Sequence, residues 1–439
     1  MSLEILGLVL LGCLLFVIFG GFPISFTLII LATVFGFIGL GDKVFHLMTF
    51  QVFGTMVEQI LAAVTLFLFM GYLLERAGLM ERLFRAFQLL CGSLRGSLYL
   101  ASIFTATLFA AATGIVGASV TLIGIMSGPH MRKAGYNVRL SAGTIAAGGT
   151  LGILIPPSVM LVVMGPVLQV SVVRLFAAAI IPGLLLASLF IAYTMIRSYL
   201  QPSVGPPLPP EERAVSFRYA AREFCIGLIP PGALIVAVLG SILTGFAAPT
   251  EGAAIGVLGA VLVALGHRRL NFKMLKEAVF RTAETGSMIM VLIAASNFFG
   301  AVFSRFGTPT FIAETLLQFD LPPFVFLFFV LVVIFILGWP LEWVPIVVIV
   351  LPIFLPLVRE LGVPMLSFGI LVAVTLQTAW LSPPVALSAY FLKGVVPEWD
   401  LKDIYLGMMP FMALQMLAVL ILFFFPAVIL VLPNLLYGT

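Results

Sequence analysis

Two sets of hydroxyl and amide side chains lie in stretches that otherwise carry almost no charge, and their types suit coordination of a small hard cation. Thr113, Ser119, Thr150 and Ser158 form the first set; Thr375, Gln377, Thr378 and Ser382 form the second. Thr150 and Ser158 fall beside Pro156-Pro157 within Ser141 to Gly165, the second set falls beside Pro383-Pro384 within Leu366 to Gly394, and Thr113 and Ser119 lie at the centre of the uncharged stretch Leu98 to Pro129. A proline pair removes two backbone donors and disfavours helix in the residue before it, so each stretch reads as two half-helices around an unwound turn. Unwound carbonyls and hydroxyls suit a cation such as sodium, and the positive N-termini of half-helices suit a carboxylate. Any one of these hydroxyls is ordinarily an interhelical hydrogen bond and no more, so the reading rests on their clustering at two breaks. Neither break offers an ionised anchor for a ligand. Glu342 is the one carboxylate of the apolar segment Val325 to Val358. An ionisable group at membrane depth is a functional candidate, set against the plainer reading of a helix cap.

Enzymatic chemistry finds little support. Gly117-Ala118-Ser119 superficially resembles a buried nucleophile, but a serine needs a base within reach, and no histidine or lysine falls inside the apolar segments. His46, His130 and His267 all sit at segment ends, and neither HExxH nor GxxxxGK[ST] occurs. Zinc-protease and ATPase readings therefore fall away. Cys13, Cys91 and Cys225 are isolated in apolar surroundings, which fits packing rather than a disulfide framework or metal cluster. The surplus of four positive charges comes from lysines and arginines between apolar segments, a loop pattern and not a nucleic-acid footprint.

The elements that must hold these residues are membrane helices. The 439 residues are 62% hydrophobic and 9% charged, and many segments exceed the roughly 18 apolar residues that mark a span. Leu3 to Gly20 lacks a basic leader and reads as a retained helix. Pro23 to Leu40 reads as a second span, Gly41 to Ile60 as a surface segment and Leu79 to Leu90 as an interfacial helix. Leu98 to Pro129 carries no charge for 32 residues, which as one helix would be roughly 48 Å against a hydrocarbon core of about 30 Å. Its glycine-rich centre, TGIVGAS, fits the tip of a re-entrant hairpin better. Val325 to Val358, with Gly338, Pro340 and Pro345 at its centre, reads as a second hairpin. Glu251 fits a first-turn carboxylate, and a final span runs from Tyr405 to about Leu432.

An internal repeat relates the two halves. Pro129, Gly135 and Pro156-Pro157 return as Pro356, Gly362 and Pro383-Pro384, each 227 positions on. Gly71, Arg76 and Gly78 return 229 positions on as Gly300, Arg305 and Gly307. Loops around the first hairpin are rich in arginine and those around the second are not, so the positive-inside rule predicts repeats of opposite orientation. The expected organisation is a first repeat over 1–200 (hairpin about 97–129, broken helix about 139–170), a cytoplasmic linker over 201–223, and a second repeat over 224–439 (hairpin about 322–358, broken helix about 366–395). This is an all-α polytopic membrane protein of two inverted repeats, each with a re-entrant hairpin and a broken helix. Such architecture belongs to transporters, with the binding site at the midplane. The alternation of spans and cytoplasmic loops places both termini in the periplasm.

With these motifs in place, the chain resembles the large membrane subunit of tripartite ATP-independent periplasmic (TRAP) transporters over essentially its whole length. KAGYNVRLSAGTIAAGGTLGILIPPSVMLVVMG at Lys133 to Gly165 is the most specific stretch, supported by APTEGAAIG at Ala248 to Gly256 and LQTAWLSPPVALSAYFLKGVVP at Leu376 to Pro397. The resemblance implies an inner-membrane secondary transporter of the ion-transporter-like class. It implies sodium-driven uptake of a small organic acid by an elevator motion. Its implied partners are a periplasmic substrate-binding protein (P type) and a separate small four-helix membrane subunit (Q type), with sodium as coupling ion and no other cofactor. Carried over by position, one sodium and substrate site lies among Thr113, Gly114, Gly117, Ser119, Thr150, Gly152, Pro156 and Ser158, and the other among Gly338, Glu342, Gln377, Ala379, Ser382 and Pro383. Two departures from the family pattern are Ser382, where threonine is usual, and Ala386, where glycine is usual; the second narrows the pocket. A proton-coupled or binding-protein-independent organic-anion transporter is the alternative, with Glu342 as proton carrier.

Overall fold

The computed structural model describes residues 2–209, 216–318, 322–383 and 385–438. Within them the chain is helical throughout, without strands. Among the described residues, six helices are long and apolar enough to cross a bilayer, or seven if α3 (Lys43–Val57) and α4 (Leu61–Arg76), bent 53° from one another, form one span. Large apolar side chains such as Phe16, Ile30, Ile229, Val236 and Leu262 face outward, as lipid or partner-facing surfaces must.

Polar contacts sort the helix ends into two faces. At the first face, Arg76 pairs with Glu277 (3.0 Å), Arg82 with Glu223 (3.0 Å), Arg132 with Glu398 (2.9 Å) and Arg139 with Asp403 (2.8 Å). The Gly96 and Asn137 amides donate to the carbonyls of Gly205 and Val204 at the same face. At the second face, Thr308 donates to the Glu4 carbonyl, Tyr437 to the Leu243 carbonyl and Arg359 to Gln169. The two faces are the ends of α10 (Val172–Leu200), which at 29 residues is about 43 Å long. All the arginine-rich loops gather at the first face, and the two ends of the described chain lie at the second.

From the basic face, α5 (Leu79–Cys91) packs its apolar side inward, with Leu79, Met80, Leu83 and Phe84 buried. Helices α6 (Ser97–Thr113) and α7 (Val116–Lys133) both begin or end at that face, because Ser97 meets Tyr136 just past α7 (3.3 Å between hydroxyls). Their junction therefore lies at depth, about 25 Å in for a 17-residue helix. Burial raises the Tyr136 phenol above its ordinary value and keeps it neutral there. Next, α8 (Val138–Thr150) enters from the basic face, breaks, and continues as α9 (Val159–Leu168) to the opposite face at Gln169.

The second half crosses as α11 (Phe217–Leu243), α12 (Pro249–Gly266) and α13 (Phe272–Arg305). At the start of α12, Glu251 accepts the Ala248 amide (2.9 Å), so it acts as a first-turn cap. After α14 (Thr308–Leu317), helices α15 (Pro323–Leu337) and α16 (Trp343–Glu360) fold back on one another, as the Phe326 and Phe354 rings show at 6.3 Å. Both ends of this pair lie at the second face. The broken helix comprises α17 (Met365–Gln377) and α18 (Leu387–Val395), ending at the basic face near Glu398. The final apolar stretch is not one span: α19 (Leu401–Phe424) stops before Pro426 and α20 (Ala427–Tyr437) follows separately.

Candidate functional site

The first hairpin turns at Gly114, whose φ of +64° is open to glycine at no steric cost, and α7 starts two residues later. A Cβ on Gly114 would stand 3.4 Å from the Pro157 carbonyl and the Val159 amide, so the tip sits directly on the break of α8 and α9. Gly152 in that break lies equally close to Ala110 of α6. After α8, a short 3₁₀ turn (Leu151–Ile153) leads to a cis peptide between Pro156 and Pro157. Ser158 closes the break: its hydroxyl donates to the Ile153 carbonyl and accepts the Leu161 amide, capping α9.

The second half repeats this contact with different chemistry. Gly338, just past α15, would place a Cβ 3.1 Å from that of Ala379 in the second break. Glu342 holds the N-cap position of α16 without making a capping hydrogen bond, and a π-helical stretch (Ile346–Val350) follows. After α17 comes a 3₁₀ turn (Thr378–Trp380), where the Ser382 hydroxyl donates to the Thr378 carbonyl (2.6 Å) and lies 3.1 Å from Met412 Sδ. Ala386 enters α18 with φ +34°, a left-handed conformation that disfavours any side chain. Pro383 is exposed, and Pro384 lies outside the described residues.

Every hydroxyl singled out above gives its proton to a backbone carbonyl three to five residues earlier: Thr113, Ser119, Thr150, Ser158, Thr375, Thr378 and Ser382 alike. What each then presents to any further neighbour is a lone pair, the acceptor a cation requires. Thr113 and Ser119 bring two such oxygens to 3.5 Å from one another. Gln377 differs, being fully buried with neither amide atom partnered among the described residues. Each such group costs about 1–3 kcal/mol when unsatisfied, so the amide needs a partner such as a water or a bound ion.

Between the two hairpin tips and the two breaks lies a cavity of about 340 Å³, within the range of small-molecule sites. Its wall includes Val116, Val159, Trp343 and Leu387, the first residues of α7, α9, α16 and α18. Four helix N-termini therefore converge on one space, each directing partial positive charge and free amides toward it. Gly114, Gly117 and Glu342 also line it, whereas Thr113, Ser119, Thr150, Ser158, Gln377 and Ser382 stand behind its wall. Gly117 is held against the Phe391 ring of the other half.

An ionised anchor, absent from both breaks, arrives from elsewhere. Arg281 of α13 lines the cavity, facing Tyr72 and Glu75 of α4. Tyr72 and Thr285 share a hydrogen bond of 2.7 Å there, and Glu75 Oε2 is buried without a partner among the described residues. Neither Glu75 nor Arg281 was among the sequence candidates; the four-residue spacing of Glu277, Arg281 and Thr285 running into an apolar helix was the available signal. Gln415 was also missed. As the lone amide of α19 it donates to the Thr150 hydroxyl (3.0 Å), one turn from Met412 at the second break. One helix thus touches both breaks.

The family described as tripartite ATP-independent periplasmic transporter, DctM component, matches residues 11–428. The chain belongs to this family. The C4-dicarboxylate TRAP transporter large permease DctM of Pseudomonas aeruginosa is 31% identical over 386 residues, 88% of each protein. The isethionate TRAP transporter permease DctMQ of Oleidesulfovibrio alaskensis is 32% identical over 367 residues, which are 83% of this chain and 57% of that protein. In fold, the chain is similar to the crystal structure of the Alcanivorax borkumensis YdaH transporter, described as having an unusual topology (TM-score 0.64, 16% identity, 94% of this chain and 98% of that one). The TRAP large permease is a transporter component and not an enzyme. It is a multi-pass inner-membrane protein that works with a binding protein and a small subunit.

Proposed function

We propose that this permease carries out sodium-coupled uptake of a small organic acid, handed over by the periplasmic binding protein and moved by elevator-type alternating access. The observation that carries the reading is the convergence of four helix N-termini on one cavity. An anion meeting all four would gain roughly 1–4 kcal/mol from their dipoles. The named relatives point the same way, since one handles C4-dicarboxylates and another isethionate.

The two sodium sites of this reading lie behind the cavity wall, one around Thr113, Ser119 and the Gly152 to Ser158 break, the other around Gly338, Gln377, Ala379 and Ser382. Their oxygens are acceptors only, and Gln377 has an unpartnered amide oxygen. Support for two inverted repeats comes from the paired hairpins, which enter from opposite faces, and from the breaks they rest on. The moving unit would be the two hairpins with the two broken helices, working against the remaining spans, which a four-helix Q-type subunit braces. Gathering of the arginine-rich loops at one face supports a cytoplasmic orientation for that face, and on this reading both termini lie in the periplasm.

The test is uptake of an organic-acid panel into proteoliposomes holding the permease, its small subunit and the cognate binding protein, with and without an inward sodium gradient. Uptake that needs both sodium and the binding protein bears out the reading. One observation favours a second: Glu342 lines the cavity with no hydrogen-bond partner among the described residues. Sodium-independent uptake driven by a pH gradient and lost in Glu342→Gln would establish proton coupling instead.

A further inference from the structure

Two of the three acidic and basic residues of the lining, Glu75 and Arg281, stand on one wall, where α4 ends at the basic face, α13 starts from it, and their facing residues form a ladder. Arg76 and Glu277 make the outermost rung, an ion pair of 3.0 Å with both side chains more than a third exposed. Next inward are Glu75 and Arg281, then Tyr72 hydrogen-bonded to Thr285 (2.7 Å), then Leu68 beside Met288 and Leu292. Polarity falls rung by rung toward the helix N-termini at the inner end.

The second rung is unlike its neighbours. Arg281 supplies the only guanidinium or ammonium group of the lining, and among the described residues no carboxylate lies within ion-pair distance of it. Glu277, one turn back on the same helix, is committed to Arg76. Glu75 faces the guanidinium across the lining, yet its buried Oε2 has no hydrogen-bond donor among the described residues. A fixed cation and an unsatisfied carboxylate thus face one space without closing on each other. Arginine stays charged at any physiological pH and offers two parallel donors to a carboxylate.

We propose that Arg281 takes a carboxylate of the transported acid at the cytoplasmic end of the cavity, and that Glu75 competes for the same guanidinium and promotes release. This inference rests on the organic-acid uptake proposed above. The acid's other end lies toward the N-termini of α7, α9, α16 and α18, so a substrate with a carboxylate facing Arg281 is preferred to its uncharged amide. When the acid leaves, Glu75 takes its place beside the guanidinium and opposes rebinding from the cytoplasm.

The test uses the complete transporter with its binding protein in proteoliposomes, together with binding of the radiolabelled acid that the wild type accumulates to the purified permease complex in sodium. Arg281→Gln is expected to weaken binding and uptake at least tenfold, Arg281→Lys two- to fivefold, and neither to change half-saturation by sodium more than twofold. Glu75→Gln is expected to bind the acid more tightly than wild type while lowering turnover. Arg76→Gln, one rung outside the cavity, controls for the helix contact and should stay within twofold of wild type. Should Arg281→Gln fail to assemble, Arg281→Lys and Glu75→Gln decide by the same criteria. Binding by Arg281→Gln within twofold of wild type, or weaker binding by Glu75→Gln, overturns the proposal while leaving the uptake function intact. A wild type that accumulates no acid under a sodium gradient with its binding protein rejects the function itself, and this inference with it.

Discussion

Replacing Gln377 with leucine separates two accounts of a buried amide. Gln377 is fully buried at the end of α17, with neither amide atom hydrogen-bonded among the described residues. If its partner is a bound cation or the water beside one, the sodium-free protein carries two poorly satisfied polar groups, each costing about 1–3 kcal/mol. Leucine is of similar size and removes both groups, so Gln377→Leu is expected to stabilise the sodium-free permease by about 2 kcal/mol. The same change removes a cation ligand, so stabilisation by sodium should shrink; for an intact site it would be about 2.7 kcal/mol at one hundred times the dissociation constant. The assay is thermal unfolding of the detergent-purified complex in sodium and in choline. The wild type should melt higher in sodium, and Gln377→Leu should melt higher than wild type in choline with a much smaller sodium response. A variant that melts lower than wild type in choline and keeps the full sodium shift would refute the reasoning, since the amide would then be satisfied within the protein.

Three further outcomes follow from the geometry. Ala386→Gly should raise stability by up to about 1 kcal/mol, because a left-handed alanine costs about 1–2 kcal/mol and glycine's extra freedom in the unfolded chain returns only about half of that; thermal unfolding with Ala386→Val as the destabilised comparison checks it. In Gly71→Ala the new Cβ would stand 2.8 Å from the Thr113 Cα, so α4 and the first hairpin tip must separate, at about 1–3 kcal/mol; an unchanged melting temperature with unchanged uptake would contradict that close approach. Cysteines introduced at Glu398 and Glu314 should react with an impermeant maleimide from the cytoplasmic and the periplasmic side respectively, and reactivity from one common side would overturn the orientation.

The bearing of the site on transport comes from where its charges are placed. Helix N-termini supply diffuse positive potential at the inner end of the cavity, and the one full positive charge stands on α13, outside both hairpins and both broken helices. Movement of the hairpins relative to α4 and α13 would therefore change how the anion is held, and Gly71 packed on Thr113 shows how close that boundary is. On the proposed sodium-coupled reading, a bound acid and its coupling ions would compensate each other's charge as they cross, and hydroxyl oxygens just behind an anion-attracting cavity fit that reading.

Features with a purely local cause could be read from the amino-acid order alone. Spans followed from apolar runs, the first hairpin from 32 uncharged residues too long for one crossing, and the grouping of basic loops from where arginine falls. Proline pairs were less decisive than their chemistry suggests. Pro230 and Pro231 lie inside the continuous helix α11, where the residue four back from Pro231 is Gly227, with no side chain to crowd the ring. At Pro156 and Pro383 the chain unwinds instead, each break resting against a hairpin tip that packs on its irregular backbone. Packing also brought Arg281 and Glu75 into the cavity, joined Gln415 to Thr150, and gathered four helix starts from across the chain. None of these follows from local composition, because each is a contact between helices far apart in sequence, whose meeting depends on how apolar faces and small residues such as Gly71, Gly143 and Gly407 let helices approach. The sequence by itself determined which segments are apolar enough for the membrane; the tertiary structure decided which proline pairs unwind, and which charges and helix ends those breaks face, because both depend on contacts between helices far apart in the chain.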